Sequence, residues 1–333
     1  MGNPVSRGVV AWVRFWDQRE HPRTLALVRI LLALVVLFDF VEIWRLGLVT
    51  PLLGVQEVGG WADVMGRKAT PPVYWFLPPE AWVPVAHHAL LVLSAFCLLI
   101  GFFTRTSSVV LMLLWVQIQL TMPMSDRAID LLCRNILMIF AFSGAGNAWS
   151  VDARMSQGTW RGGAEIGSWA RYLIITQLVI MYFTAGVQKV GFSWLPWGYF
   201  TALYIILQDP AIARFDFSYL RNQPFFFATQ VGTFVTMIWQ WAYPLVFLWY
   251  WYKNTAERPG RLRAFANRWH LHLVWVAVGA LFHVLLAVTM ELGIFPWAML
   301  ALYPAFIDPD ELKHLWTGLR DRIRPAEESV VTG

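Results

Sequence analysis

Apolar residues along the chain fall into long runs that are separated by short polar stretches. Most of these runs are close to 20 residues long, the length that crosses about 30 Å of hydrocarbon at a rise of 1.5 Å per residue. The pattern predicts an all-α fold, a polytopic transmembrane bundle of about eight helices. The last run is short for a full crossing and is also compatible with a re-entrant helix. The eight predicted segments are 25–45, 84–103, 106–123, 129–147, 169–188, 224–251, 271–292 and 295–308.

The composition excludes a soluble globular protein. Of the 333 residues, 58% are hydrophobic and 14% are charged, whereas soluble domains carry about 25% charged residues. The first apolar run is long enough to span and lacks a small-residue cleavage site after it, so we expect a retained helix rather than a signal peptide. We expect a cytoplasmic segment at 1–23, a transmembrane domain at 24–312 and a basic cytoplasmic tail at 313–333.

Lysine and arginine are distributed unequally over the two sets of loops. Sixteen lie in the loops and termini at 1–24, 104–106, 148–168, 252–270 and 313–333, against six in the opposite loops at 46–83, 124–128 and 189–223. The positive-inside rule therefore predicts that both termini are cytoplasmic. The basic residues flank the apolar runs, so the net charge of +5 indicates a lipid bilayer rather than nucleic acid as partner. A multi-pass protein of the cell (inner) membrane is expected if the source is bacterial.

Several charged or titratable residues lie inside the predicted spans. A charge at membrane depth costs at least ~2.5–3.5 kcal/mol on insertion scales. Arg29, Asp39, Arg134 and His283 are therefore expected to face the bundle interior, either as a polar site or as buried pairs that fix helix packing. Both interpretations remain open from the sequence. The other charges lie near helix ends, where snorkelling explains them equally well: Glu42, Arg45 and Arg171.

The most informative stretch runs from Tyr182 to Val190 and places Lys189 at the end of an apolar helix. Gly186 permits close approach of another backbone. A lysine in a poorly hydrated pocket loses proton affinity, and its neutral amine can then act as a base near pH 7. The alternative is that Lys189 snorkels to the membrane interface. The sequence shows no metal-ligand spacing, phosphate loop or Ser-His-Asp arrangement, so no metal is expected.

Four sequence blocks together resemble one known family. They are 25–30 with Asp39 and 45–48; 149–152; 182–189 with Trp194 and 198–199; and His283 with 293–300. In this order they resemble the transmembrane part of vitamin K-dependent gamma-glutamyl carboxylase and its bacterial relatives, the HTTM domain family. The resemblance extends from about Pro22 to Leu312.

The resemblance implies a pocket for a lipid quinol, either reduced vitamin K or menaquinol, with Lys189 as the base at its polar end. It further implies a protein or peptide substrate on the outer side. Where the carboxylase has a histidine near the outer start of the fourth helix, this chain offers Asp130. The resulting catalytic candidates are Lys189, His283 and Asp130. The candidates for cofactor binding are Arg29, Asp39, Arg134, Tyr182 and Trp194.

Two functions from different classes follow from these observations. The first is a carboxylase-like membrane enzyme, a lyase or a quinol-oxidising enzyme, that uses a lipid quinol from the outer side. The second is a non-catalytic immunity, assembly or partner protein, in which the polar residues only hold the bundle together. A small-solute transporter is less favoured, because the sequence shows no internal repeat and no pair of broken helices.

Overall fold

The computed structural model of the chain describes residue 13, residues 16–62 and residues 73–323, with the backbone alone at 124 and 318–323. Some predictions made from the sequence therefore lie outside the described residues. These are most of the segment 1–23, the end of the tail 313–333, and five basic residues used for orientation: Arg7, Arg14, Arg67, Lys68 and Arg324.

The described residues form fifteen α-helices and two short strands, which confirms the predicted all-α class. The strands β1 (Arg19–Glu20) and β2 (Ile166–Gly167) pair antiparallel, with Arg19 opposite Gly167. The helices are α1 (Arg23–Arg45), α2 (Val49–Leu53), α3 (Val73–Phe76), α4 (Trp82–Ile100), α5 (Thr104–Thr121), α6 (Ala128–Phe142), α7 (Val151–Gln157), α8 (Trp169–Val187), α9 (Ala202–Gln208), α10 (Phe225–Trp241), α11 (Leu245–Lys253), α12 (Arg261–Arg268), α13 (Leu271–Thr289), α14 (Phe295–Leu302) and α15 (Pro309–Ile323).

A helix occupies each of the eight predicted segments, but fewer of them qualify as membrane spans. Within the described chain, four helices are long and apolar enough to cross a membrane, namely α1, α4, α8 and α13. The pair α10 and α11 makes a fifth if it forms one bent span. Helix α6 has 15 residues, which at 1.5 Å per residue fall short of a 30 Å core. By length and composition the described chain has four or five candidate spans, and the number of about eight spanning helices stays a prediction.

The segment predicted as one helix over 224–251 is broken, so that prediction is wrong. Helix α10 ends at Trp241, α11 begins at Leu245, and their axes differ by 58°. Pro244 lies at the break, where proline lacks the N–H for a helical hydrogen bond and its ring hinders the preceding turn. The break places Tyr243, which is fully buried, in a non-helical position.

The chain divides into two compact units. The first comprises Met1–Asp126, Arg134–Arg171 and Ile307–Gly333. In it α4 packs against both α1 and α5. Arg171 is buried and forms ion pairs with Glu20 at 2.9 Å and Asp308 at 2.8 Å. These contacts join β1, the start of α8 and the segment before α15, so Arg171 does not snorkel.

The second unit comprises Arg127–Cys133 and Tyr172–Phe306. In it α9 packs on α10, and α13 packs on α14. The loop after α9 joins the end of α13 through an ion pair of Arg214 with Glu291, whose nitrogen and oxygen lie 2.8 Å apart. Leu207, Leu220 and Met290 form a small apolar cluster beneath this loop.

Candidate functional site

Lys189 lies two residues beyond the end of α8, in the second unit. Its Nζ donates a hydrogen bond to the carbonyl oxygen of Ala185 at 3.1 Å and lies 5.0 Å from the centre of the Trp194 ring. These described contacts include no carboxylate. Burial lowers the pKa of the Lys189 ammonium below its ordinary value, because a partly desolvated amine binds its proton less tightly. The half-buried amine is thus held by a carbonyl and an aromatic face.

Gly186 brings α8 into close contact with the end of α10. A Cβ atom at this position would lie 2.8 Å from Trp241 Cδ1 and 2.9 Å from Gln240 Cβ. Cβ atoms in proteins essentially never approach other atoms this closely. Any residue other than glycine at this position would therefore require the neighbouring atoms to move. The predicted close approach at Gly186 is confirmed, and it fixes the helical turn that precedes Lys189.

Two turns before Lys189, Tyr182 is at the centre of a buried hydrogen-bond network. Its hydroxyl is bonded to Nε2 of His283 and, at 2.9 Å, to the hydroxyl of Tyr303. His283 is fully buried, and its Nδ1 has no described partner. The structure therefore brings together two of the predicted site residues, Tyr182 and His283, and shows that they contact each other.

Tyr243, at the break between α10 and α11, completes this network. Its ring stacks on that of Tyr182 with centres 4.1 Å apart, and Trp239 packs edge-on against both rings. Tyr243 and Tyr303 are not among the site residues predicted from the sequence. The Tyr-Pro dipeptide within an apolar run could have indicated Tyr243, because proline marks a helix break. The same dipeptide occurs at Tyr303-Pro304, directly after the end of α14, so it could have indicated Tyr303 as well.

Asp130 lies in the first turn of α6 and is paired locally. Its Oδ2 accepts hydrogen bonds from the backbone N–H of Arg127 at 2.8 Å and from Arg127 Nε at 3.0 Å. No described contact joins Asp130 to Lys189 or His283. Its geometry is that of a carboxylate that caps the start of a helix.

Arg134 belongs to the first unit and forms a two-hydrogen-bond ion pair. Its Nη1 and Nη2 donate to the two carboxylate oxygens of Asp126 at 2.7 and 3.0 Å. Only 7% of the Arg134 side chain is exposed. Of the two interpretations left open by the sequence, the described contacts favour a buried pair that fixes packing.

Arg29 is fully buried in the first unit, where its Nη2 donates a 2.6 Å hydrogen bond to the carbonyl oxygen of Trp149. Gly101 lies against the guanidinium and leaves no room for a Cβ. Asp39 lies ten residues further along α1 and is half-buried. Ten residues correspond to about 15 Å along a helix, so the two residues occupy different depths of the bundle.

The block 149–152 organises the turn beside Arg29. The Ser150 hydroxyl accepts a hydrogen bond from the N–H of Ala153 at 2.9 Å and caps α7. The carboxylate of Asp152 accepts hydrogen bonds from the N–H groups of Phe103 and Thr104 at 2.8 and 2.7 Å, which lie at the start of α5. Ser150 and Asp152 therefore have a capping role in the described structure.

One cavity in the described part of the chain lies in the first unit. It measures about 10 Å³, close to the minimum for one water molecule. Among the described residues, no three His, Cys, Asp or Glu side chains are placed to hold a metal ion. The cavity is lined by Leu53, Val73, Tyr74, Val83, Pro84, His87, Gln117 and Thr121.

The apolar helices and the polar groups buried among them define a multi-pass membrane protein. The chain matches the HTTM domain over residues 18–255, and it belongs to that family, the vitamin K-dependent carboxylase-related transmembrane domain. The matched region includes Tyr182 and Lys189 but ends before His283. No curated protein and no solved structure matches the chain.

Proposed function

We propose that the chain is a carboxylase-like membrane enzyme that uses a lipid quinol, with Lys189 as its base. The observation that carries the proposal is the environment of Nζ, which contacts a carbonyl and an indole ring. A carboxylate partner would hold the proton on the amine, whereas partial burial favours its release. A general base for a phenolic substrate needs a lysine amine whose pKa is lowered towards the working pH. The adjacent aromatic face can bind the ring of that substrate.

The described residues around Lys189 suit the head group of a reduced naphthoquinone. Such a quinol supplies an acidic hydroxyl and two electrons when bound. Trp194 offers an aromatic face for its ring, and the neutral Nζ can accept a proton from its hydroxyl. The Ala185 carbonyl orients the amine through its 3.1 Å hydrogen bond. Under this proposal a protein or peptide substrate would approach from the outer side.

The buried network behind Lys189 would position α8 rather than touch the quinol. Only 2% of Tyr182 and none of His283 is exposed. We therefore assign Tyr182 and His283 a positioning role in this proposal. Their hydrogen bond fixes the helix whose end carries Lys189.

A second candidate function is a non-catalytic partner protein of the same family. The observation that favours it is the local pairing of Asp130 with Arg127 and of Arg134 with Asp126. Two of the nominated site residues are thus held in ion pairs within the described chain. In this function the polar residues would stabilise the bundle, and Lys189 would anchor the end of α8 at the interface.

The test is oxygen-dependent consumption of a reduced menaquinone analogue by the purified full chain in nanodiscs. Wild type is compared with Lys189→Arg and Lys189→Ala, and Lys313→Arg serves as the matched control on an exposed helix. Arginine retains the charge but stays protonated, so the base assignment predicts at least a 100-fold loss of rate in both Lys189 variants.

The control variant is expected to consume the quinol at the wild-type rate. Equal rates for wild type and Lys189→Arg would eliminate Lys189 as the base. No consumption by the folded wild-type protein, with all variants still inserted, would favour the non-catalytic function.

A further inference from the structure

The short helix α12 carries an apolar stripe that nothing in the described chain covers. Leu262, Phe265 and Trp269 are 72%, 54% and 58% exposed. At 100° per residue these three positions fall on one side of the helix. One flank of the stripe is packed: Ala266 is buried, and Asn267 Nδ2 donates a 2.9 Å hydrogen bond to the carbonyl oxygen of Tyr252.

Two arginines border this stripe. Arg261 and Arg268 are separated by seven residues, two helical turns, and therefore lie on one flank of α12. Both side chains are exposed, and neither forms an ion pair in the described structure. Arg263 points elsewhere: its guanidinium lies 5.2 Å from the centre of the Tyr252 ring, and its Nη1 donates to the carbonyl oxygen of Pro259 at 2.9 Å.

The position of α12 along the chain restricts what covers the stripe. The apolar helix α11 ends at Lys253 and the membrane span α13 begins at Leu271. Helix α12 therefore lies close to one membrane surface. At eight residues and with three arginines it cannot span a bilayer. An apolar stripe bordered by arginine is the pattern of a helix that lies in the interface plane.

We propose that α12 binds anionic phospholipid headgroups. Leu262, Phe265 and Trp269 would enter the headgroup region, and the phosphates would pair with Arg261 and Arg268. Charge complementarity selects an anionic bilayer surface as the occupant. Helix α12 lies beyond residue 255, where the family match ends, and none of the residues of this site belongs to the proposed quinol site.

The test measures binding of a fluorescent phosphatidylglycerol and a matched phosphatidylcholine to the purified full chain in neutral detergent. The double variant Arg261→Gln/Arg268→Gln is compared with wild type. Arg154→Gln/Arg161→Gln removes the same charge from another exposed region of the chain. Arg261→Lys/Arg268→Lys keeps the charge at α12.

The expected loss of phosphatidylglycerol affinity is about fivefold for each arginine and on the order of 25-fold for the glutamine pair at α12. The lysine pair should stay near wild type, and the control pair should change little. Added salt should weaken wild-type binding. Equal losses in the two glutamine pairs, no loss at α12, or equal binding of both lipids by wild type would each overturn the proposal.

Discussion

Nη2 of Arg29 donates its hydrogen bond to the carbonyl oxygen of Trp149, across 120 residues of sequence. The guanidinium is thereby held between the first membrane helix and the turn that precedes α7. Gly101, which ends α4, packs against the same group. Three separate parts of the first unit therefore meet at one buried cation.

Gly101→Ala should destabilise the chain more than Gly158→Ala. Both glycines have positive φ, 68° and 71°, so both substitutions incur similar backbone strain. Only at Gly101 would the new Cβ overlap the Arg29 guanidinium, whereas nothing lies within 4 Å of it at Gly158. We expect an additional loss of about 1–3 kcal/mol at Gly101.

Each variant is heated in detergent to a series of temperatures, and size-exclusion chromatography then measures the fraction of protein that is still folded. The melting temperature is the temperature at which this fraction falls to one half. The variant Gly158→Ala is the internal control for backbone strain. Equal melting temperatures for the two variants would show that the guanidinium can move away at little cost.

Arg134→Gln should destabilise the first unit by on the order of 3 kcal/mol, because it leaves the Asp126 carboxylate without its paired cation. Asp126→Asn should cost a similar amount, and the double variant should lose less than the sum of the two. The interaction free energy from this cycle should exceed about 0.5 kcal/mol. If Arg134 instead binds the quinol, its variant will lose quinol consumption at unchanged stability.

Tyr182→Phe should destabilise the second unit by about 1–3 kcal/mol, because it leaves buried partners of the hydroxyl unsatisfied. These partners are His283 and Tyr303. Tyr204→Phe is the matched control, since no hydrogen bond of its hydroxyl is described. Thermal unfolding of both variants provides the comparison. Similar stability of the two would mean that the network contributes little.

The sequence could predict the helices because burial in a bilayer depends on the length and hydrophobicity of each run. It could not predict the partners of the buried cations, since those depend on loop paths. Asp126 lies in a loop eight residues before Arg134, and nothing in the spacing distinguishes it from other acids. The predicted role of Gly186 is confirmed, because close approach is a property of glycine itself. The contact of Tyr182 with His283 requires the tertiary fold.

The asymmetry of basic residues predicts the orientation of the chain. In a variant free of Cys97 and Cys133, single cysteines at positions 258–265 should react with an impermeant thiol reagent only from the cytoplasmic side. Cysteines in the loop 205–220 should react only from the outside. Intact cells and inverted vesicles supply the two accessible faces. Outside labelling at 258–265 would reverse the orientation and place Lys189 on the cytoplasmic side.

The last prediction concerns the proton on Lys189. Burial lowers its pKa from the ordinary value of 10.5, so the folded chain binds this proton less tightly than the unfolded chain. Stability should therefore rise with pH between the lowered pKa and 10.5. Acylation of Lys189, followed by mass spectrometry, should reach half its maximal rate at a lower pH than acylation of a lysine in an unstructured peptide, because burial lowers the Lys189 pKa. Trp194→Ala admits water and should shift the Lys189 midpoint upward. A wild-type midpoint equal to that of the peptide lysine would show that the Lys189 amine is fully hydrated and therefore unsuited to act as a base.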